Sequence, residues 1–245
     1  CGKNLSVERV STIGAQRLFN YACQPMSEPA FVEIVTEGQP AAPAYFLHDA
    51  VSNRQAHQVR ELGARVPALD AAALAAALAS GAVILDSRDP MDFAAGHLDG
   101  SINVGFGGRM AETAGMVLDA ARDFVVVAAP GQEQETALRM ARIGFDRCVG
   151  YLPSVEHHLV EHPDAARQGS RLTPAQMFAA IEDADVQLVD LRNVGELVNG
   201  TIEGARHIPL AELPRRVAEL DAARPVLLHC AGGYRSSVGA SWLRT

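Results

Sequence analysis

Apolar positions along this chain follow two rhythms. Runs with almost no polar interruption, at 83–86, 125–128, 186–190 and 226–229, predict short strands covered on both faces. Between them apolar residues return at helical spacing. An alanine-rich helix over 71–79 follows Asp70, and another over 175–181 follows Thr173 and Pro174. Thr173 suits an N-cap, and Pro174 suits the first helical position because its missing N–H would be unpaired there anyway. A further helix is expected after each second strand, beginning near Ser236 in the later one. Strands alternating with helices predict an α/β fold, a parallel sheet flanked by helices. In such sheets sites lie at the carboxyl ends of the strands.

The pattern occurs twice. Residues 83–102 align without a gap on 187–206, which superposes Asp86 on Asp190, Arg88 on Arg192, Gly96 on Gly200 and Gly100 on Gly204. The later strands also correspond, 124–129 against 225–230, which sets Ala129 opposite Cys230 and Gln134 opposite Arg235. Three units are therefore expected: 1–62 outside the repeat, a first copy at 68–155 and a second at 170–245. The stretch 156–169, rich in His, Asp and Glu, reads as a linker. In the first unit, helices are expected over 7–21 and around 51–62, with Pro25, Pro29, Pro40 and Pro43 breaking the chain between them.

A length of 245 residues accommodates two modest domains and an extra segment. The net charge of −8 disfavours nucleic acid or an anionic membrane as partner, since neither would be met by clustered Lys and Arg. No apolar run reaches bilayer length. Four cysteines without a C-x-x-C pair, Cys1, Cys23, Cys148 and Cys230, suit a reducing, cytoplasmic setting. Cys148, on a predicted strand, and Trp242, on the last helix, read as core. His157, His158 and His162 lack the ligand spacing of a metal site and read as solvated. The chain opens on Cys1 and stops at Thr245, and is read as a piece of a longer protein whose second copy is cut short. Reduced stability is expected from that.

One loop carries candidate chemistry. Cys230 follows the last strand and precedes a helix, so its sulfur faces free N–H groups and the positive end of a helix dipole. A thiol is a nucleophile only as thiolate, and this setting favours the thiolate. Gly232 and Gly233 allow the backbone to fold into a cradle of N–H groups, and Arg235 adds a fixed positive charge. Ala231, Tyr234 and Ser236 complete the predicted substrate loop. Asp190 and Arg192 are expected to form an ion pair that orders it. His229 reads as a packed strand-end histidine.

The residues Asp190-x-Arg192, Glu196, Gly200-x-Ile202-x-Gly204-Ala205, Ile208-Pro209 and Cys230-x-x-Gly233-x-Arg235-Ser236 resemble the rhodanese-homology domain. The resemblance spans about 68–245 and carries its catalytic signature only in the second copy. It implies a sulfurtransferase whose Cys230 takes a sulfane sulfur from thiosulfate or a persulfide and passes it to a thiol acceptor or cyanide. Cys230 and Arg235 enclose four residues, the short loop that favours sulfur over the larger oxyanions handled by related phosphatases and arsenate reductases. The family's usual histidine is present as His97 but replaced by Thr201 in the second copy. The first copy resembles an inactive rhodanese module retained for packing.

The segments Cys1-Gly-Lys-Asn-Leu-Ser6, Thr12-Ile-Gly-x-Gln-Arg17 and Pro43-Ala-Tyr-Phe46, with Asn53, resemble the tail of a metallo-β-lactamase-fold hydrolase. More narrowly they resemble persulfide dioxygenase-like proteins in which that domain is fused to two rhodanese modules. The resemblance implies iron or zinc on a His-x-His-x-Asp-His cluster in a missing upstream domain, a partner in cis, and no metal or other cofactor in this chain. The alternative function is then that of accessory modules to that metallohydrolase. A homodimer is left open.

Overall fold

The computed structural model describes residues 8–39, 42–54, 65–183 and 185–245. The N-terminal part holds three helices, α1 (Ile13–Phe19), α2 (Glu28–Thr36) and α3 (Tyr45–Ser52). The first copy runs α4 (Ala71–Ala79), β1 (Val83–Asp86), α5 (Pro90–Ala95), β2 (His97–Leu98), β3 (Ser101–Asn103), α6 (Met110–Val117) and β4 (Phe124–Val127). It continues through α7 (Glu133–Ala141), β5 (Cys148–Leu152), α8 (Val155–Glu161) and β6 (Ala166–Arg167). The second copy has α9 (Pro174–Asp183), β7 (Gln187–Asp190), β8 (Arg206–His207), α10 (Leu213–Arg216), β9 (Val226–His229) and α11 (Tyr234–Trp242).

Helices start where a side chain can serve the free N–H groups of the first turn. Thr12, Ser27, Asp70 and Asp89 accept from the amides of Ala15, Ala30, Ala73 and Met91. The same chemistry corrects the expectation of a broken stretch between the first helices. Pro29 lies in the first turn of α2, where proline needs no N–H partner, so it opens a helix rather than ending one. The predicted helix over 7–21 is shortened to α1 because Thr12 caps it, and a 3-10 turn, Tyr21–Cys23, follows. For the helix expected around 51–62, α3 ends at Ser52, and 55–64 lie outside the described residues.

The main sheets of the two copies are parallel and flanked by helices. Their orders are β3-β1-β4-β5 in the first copy and β8-β7-β9 in the second. Strand β4 is buried at every position, as a strand covered on both faces requires. The expected linker at 156–169 is structured instead. Val155 and Leu159 of α8 pack into the first copy's core, and β6 pairs antiparallel with β2, His97 opposite Arg167. Its polar residues lie on the remaining face of a short amphipathic helix.

The two copies share one apolar core. Leu85, Ile102, Val126 and Met140 of the first belong to the same cluster as Val189, Leu191, Ile208 and Val238 of the second. Cys148 and Trp242 pack against it, half-buried. Helix α11 lies against β3 of the other copy. The N-terminal part joins this core through Tyr45, which packs so closely on Gly115 of α6 that a Cβ there would come within 2.3 Å of its ring.

Candidate active site

Strand β9 ends at His229 and delivers Cys230 to the carboxyl edge of the second sheet. Gly233 then takes φ 84°, a left-handed conformation that turns the chain back into α11. The helix therefore begins at Tyr234, earlier than the expected Ser236, and Arg235 and Ser236 lie in its first turn. The turn brings the amide of Gly233 to the Cys230 sulfur, donating at 3.2 Å. Ser236 Oγ lies 3.7 Å from that sulfur and donates to the Gly233 carbonyl at 3.1 Å.

Burial pushes the Cys230 thiol up. The amide and hydroxyl of Ser236, with the amides of Gly232 and Gly233, outweigh it and hold the thiol below its ordinary value. In the thiol form the sulfur donates to Ser236 Oγ. After ionisation the same hydroxyl can turn from the Gly233 carbonyl to the sulfur.

Arg235 is held by both carboxylate oxygens of Glu196, at 2.5 and 2.7 Å. This pairing raises the Arg235 pKa, and the neighbouring Cys230 sulfur raises it further. Glu196 is positioned in turn by a capping box, since its Oε2 accepts the Asn193 amide at 2.9 Å. Its carboxyl lies below the ordinary range, first because of Arg235. Sequence alone gives Glu196 no partner. The signal was present in Asn193-x-x-Glu196, which is the spacing of a capping box.

Asp190 and Arg192 are paired, Nη2 to Oδ2 at 2.6 Å, and Arg192 Nη2 also reaches the Gly200 carbonyl at 2.8 Å. Burial pushes the Asp190 carboxyl up and the Arg192 hydrogen bonds bring it below its usual value. The pair sits behind the loop, at the end of β7, and makes no contact with the sulfur that the hydrogen-bond network records. His229 Nε2 lies 3.7 Å from Asp190 Oδ2, too far for a good hydrogen bond, and is buried without another partner. Burial lowers its pKa.

Of the loop residues expected to meet substrate, Gly232, Gly233, Arg235 and Ser236 gather around Cys230, and Ala231 is exposed beside them. The ring of Tyr234 points elsewhere. Its hydroxyl donates to the Gly105 carbonyl of the first copy at 2.7 Å. Burial pushes this phenol up to about 12. Two further links join the same helix to β3: Ser237 Oγ donates to Asn103 Oδ1 at 3.0 Å, and the Asn103 amide donates to Ser241 Oγ at 2.9 Å.

The first copy repeats the scaffold but not the chemistry. Arg88 pairs with Asp86 at 2.7 Å and reaches the Gly96 carbonyl at 2.9 Å, as Arg192 does with Asp190 and Gly200. The strand register corrects the sequence alignment by one residue. Asp86 is opposite Val127 as Asp190 is opposite His229, and Gly131, at φ 86°, matches Gly233. The residue standing where Cys230 stands is thus Ala128, not Ala129, and Glu133, not Gln134, replaces Arg235. Gln134 instead clasps the backbone of Val66, at 2.9 Å in both directions. His97 is buried against Phe93, their rings 3.8 Å apart.

Among the described residues no group of three or more His, Cys, Asp and Glu is arranged to hold a metal ion. His158 and His162 stack at 4.4 Å, and His157 faces Glu161. Nor is any described helix long and apolar enough to cross a membrane.

A cavity of about 1000 Å³ lies between the two copies, with Arg235 and Tyr234 on one wall and Ala129 and Gln132 on another. Residues 70–153 and 173–245 match the family described as "Rhodanese-like domain", and the chain belongs to that family. It is similar to the uncharacterized protein YqhL of Bacillus subtilis, 43% identical over 58 residues, 24% of this chain and 46% of that one. It is also similar to tRNA uridine(34) hydroxylase of Escherichia coli, 30% identical over 89 residues, 34% of this chain and 25% of that protein. The chain thus spans less than half the length of either relative. Its fold is similar to that of a metallo-beta-lactamase from Staphylococcus aureus, with a TM-score of 0.51 and 22% identity over 63% of this chain and 42% of that one.

Proposed function

We propose that this chain is a sulfurtransferase that carries a sulfane sulfur on Cys230, from thiosulfate or a persulfide to a thiol acceptor. The observation that carries the reading is the cradle at Cys230: a sulfur at a helix N-terminus, met by the Gly233 amide at 3.2 Å and beside Arg235. These groups favour negative charge on the sulfur and on whatever is bonded to it.

In the donor step the Cys230 thiolate attacks the outer sulfur of thiosulfate. The S–S bond of thiosulfate breaks, sulfite leaves with its electron pair, and Cys230 becomes a persulfide anion. Arg235 draws the dianion in, and the loop amides hold the charge that arrives on the outer sulfur. In the acceptor step a thiolate attacks the outer sulfur of the protonated persulfide, and Cys230 leaves as the thiolate it was at the start. Sulfur is transferred with no external oxidant or reductant. Asp190 and Arg192 act as positioning residues for the loop, and Ala128 leaves the first copy without a nucleophile. Four cysteines without a C-x-x-C pair favour a reducing, cytoplasmic location.

Incubation with thiosulfate followed by intact mass measurement tests the reading. One added sulfur on the wild type and none on Cys230→Ala is expected; an unmodified wild type sinks the idea.

We infer a second, wider reading from the motifs Thr12-Ile-Gly-x-Gln-Arg17 and Pro43-Ala-Tyr-Phe46: the segment 1–62 is the end of a metallo-β-lactamase-type domain. The copies at 68–155 and 170–245 would then serve it in cis. Iron or zinc chemistry would reside upstream, on the His-x-His-x-Asp-His cluster that the resemblance implies. The reading frame upstream of Cys1 decides this, through the presence or absence of His-x-His-x-Asp-His.

A further inference from the structure

The inter-copy cavity is centred on the degenerate site. Most of its wall comes from the carboxyl edge of the first sheet, including Ala129 and Gln132, the place where the second copy keeps its cysteine loop. Its volume of about 1000 Å³ is at the upper end of small-molecule sites. The first copy has therefore lost a nucleophile without filling the space in front of it.

The charge of that space has also changed sign. In the second copy Arg235 stands at the loop. At the matching place in the first copy is Glu133, next to Gln132 on the wall; Asp89 and Asp92 line the same cavity, and Glu112 lines it too, paired with Arg109 of that wall. Thiosulfate, a small dianion, is repelled by this wall and drawn to Arg235. A cationic group is favoured there. Arg235 belongs to both places, since it lines the cavity and lies close enough to the Cys230 sulfur to respond to it.

We propose that the vacated site of the first copy binds the sulfur acceptor, a small thiol bearing an ammonium group. Its ammonium lies towards Asp89 and Asp92, and its sulfur lies towards Arg235 and Cys230. The inference rests on the sulfurtransferase reading and deepens it by giving the degenerate copy a role beyond packing. The bond that forms joins the acceptor sulfur to the outer sulfur of the Cys230 persulfide. The bond that breaks is the one from that sulfur to Cys230, whose thiolate takes the electron pair. The acceptor's proton is released before attack.

The test compares three acceptors on protein loaded with thiosulfate: cysteamine, 3-mercaptopropionate and cyanide. Ala129→Trp, which fills the cavity, is expected to raise KM for cysteamine by about tenfold, with a smaller rise for cyanide, which needs no ammonium contact. Asp89→Asn with Asp92→Asn, which keeps a good cap at α5, is expected to remove the preference for cysteamine over 3-mercaptopropionate. Persulfide on Cys230 with no such preference in the wild type, or with both variants unchanged towards cysteamine, overturns this inference alone. Failure of thiosulfate to form the persulfide overturns the sulfurtransferase reading and this inference with it.

Discussion

The hydroxyl of Tyr234 donates to the carbonyl of Gly105 at 2.7 Å, tying the cysteine loop of one copy to the body of the other. With the Asn103 links to Ser237 and Ser241, it makes the first copy a support for the helix beneath Cys230. Tyr234→Phe is expected to cost about 1 kcal/mol of stability, the usual net value of one hydrogen bond. Tyr234→Ala, which also empties a partly buried ring site, is expected to cost about 3–5 kcal/mol. Urea denaturation of the two variants measures both, and equal losses would show that the hydroxyl and not the ring carries the link.

Cys230 has a depressed pKa in the folded chain, so its reaction with iodoacetamide is expected to rise with pH around a midpoint below the ordinary thiol value of about 8.5. The same shift acts on stability. The thiolate is favoured more in the folded than in the unfolded chain, so its contribution is fully present above the unfolded pKa. It is lost as pH falls through the folded pKa. The difference in urea midpoint between wild type and Cys230→Ala should move in favour of the wild type as pH rises across that window.

The register of the first copy is open to direct test. Ala128→Cys with Glu133→Arg places a thiol and a guanidinium where the second copy has Cys230 and Arg235. In a Cys230→Ala background this pair is expected to restore a thiol that alkylates faster than an ordinary one. Ala129→Cys with Gln134→Arg, the pair suggested by sequence alignment, is expected to give no such thiol and to lose stability, because Gln134 clasps Val66.

The two Asp–Arg pairs differ in exposure, with Arg88 at 5% and Arg192 at 14%. Removing one partner of a buried pair leaves an uncompensated charge and costs about 3–5 kcal/mol. Arg88→Ala is expected to fall in that range and Arg192→Ala below it, as read by chemical denaturation. The reverse order would mean that water reaches Asp86 more readily than Asp190.

The single sequence determined what depends on neighbours along the chain. Strand and helix periodicity, the doubled Asp-x-Arg and glycine spacing, and the strand–Cys–Gly–Arg–helix order all sit within a few residues of each other. Local burial and local capping therefore expose them. Alignment by residue type failed only where the two copies part, because Ala128 and Ala129 are interchangeable as letters; hydrogen-bonded register separates them. Proline misled for a similar reason, since Pro29 breaks a helix or begins one according to its position in a turn.

Tertiary structure decided what depends on the chain returning to itself. Arg235 meets Glu196 from 39 residues away, and Tyr234 meets Gly105 from 129. Neither contact has a periodic trace, because the packing of α11 on β9 of its own copy and on β3 of the other brings those groups together. The cavity is likewise a property of two surfaces that the sequence describes only separately. Cys230 could be read from its own loop; the groups that hold Arg235 beside it, and the space in front of it, had to wait for the fold.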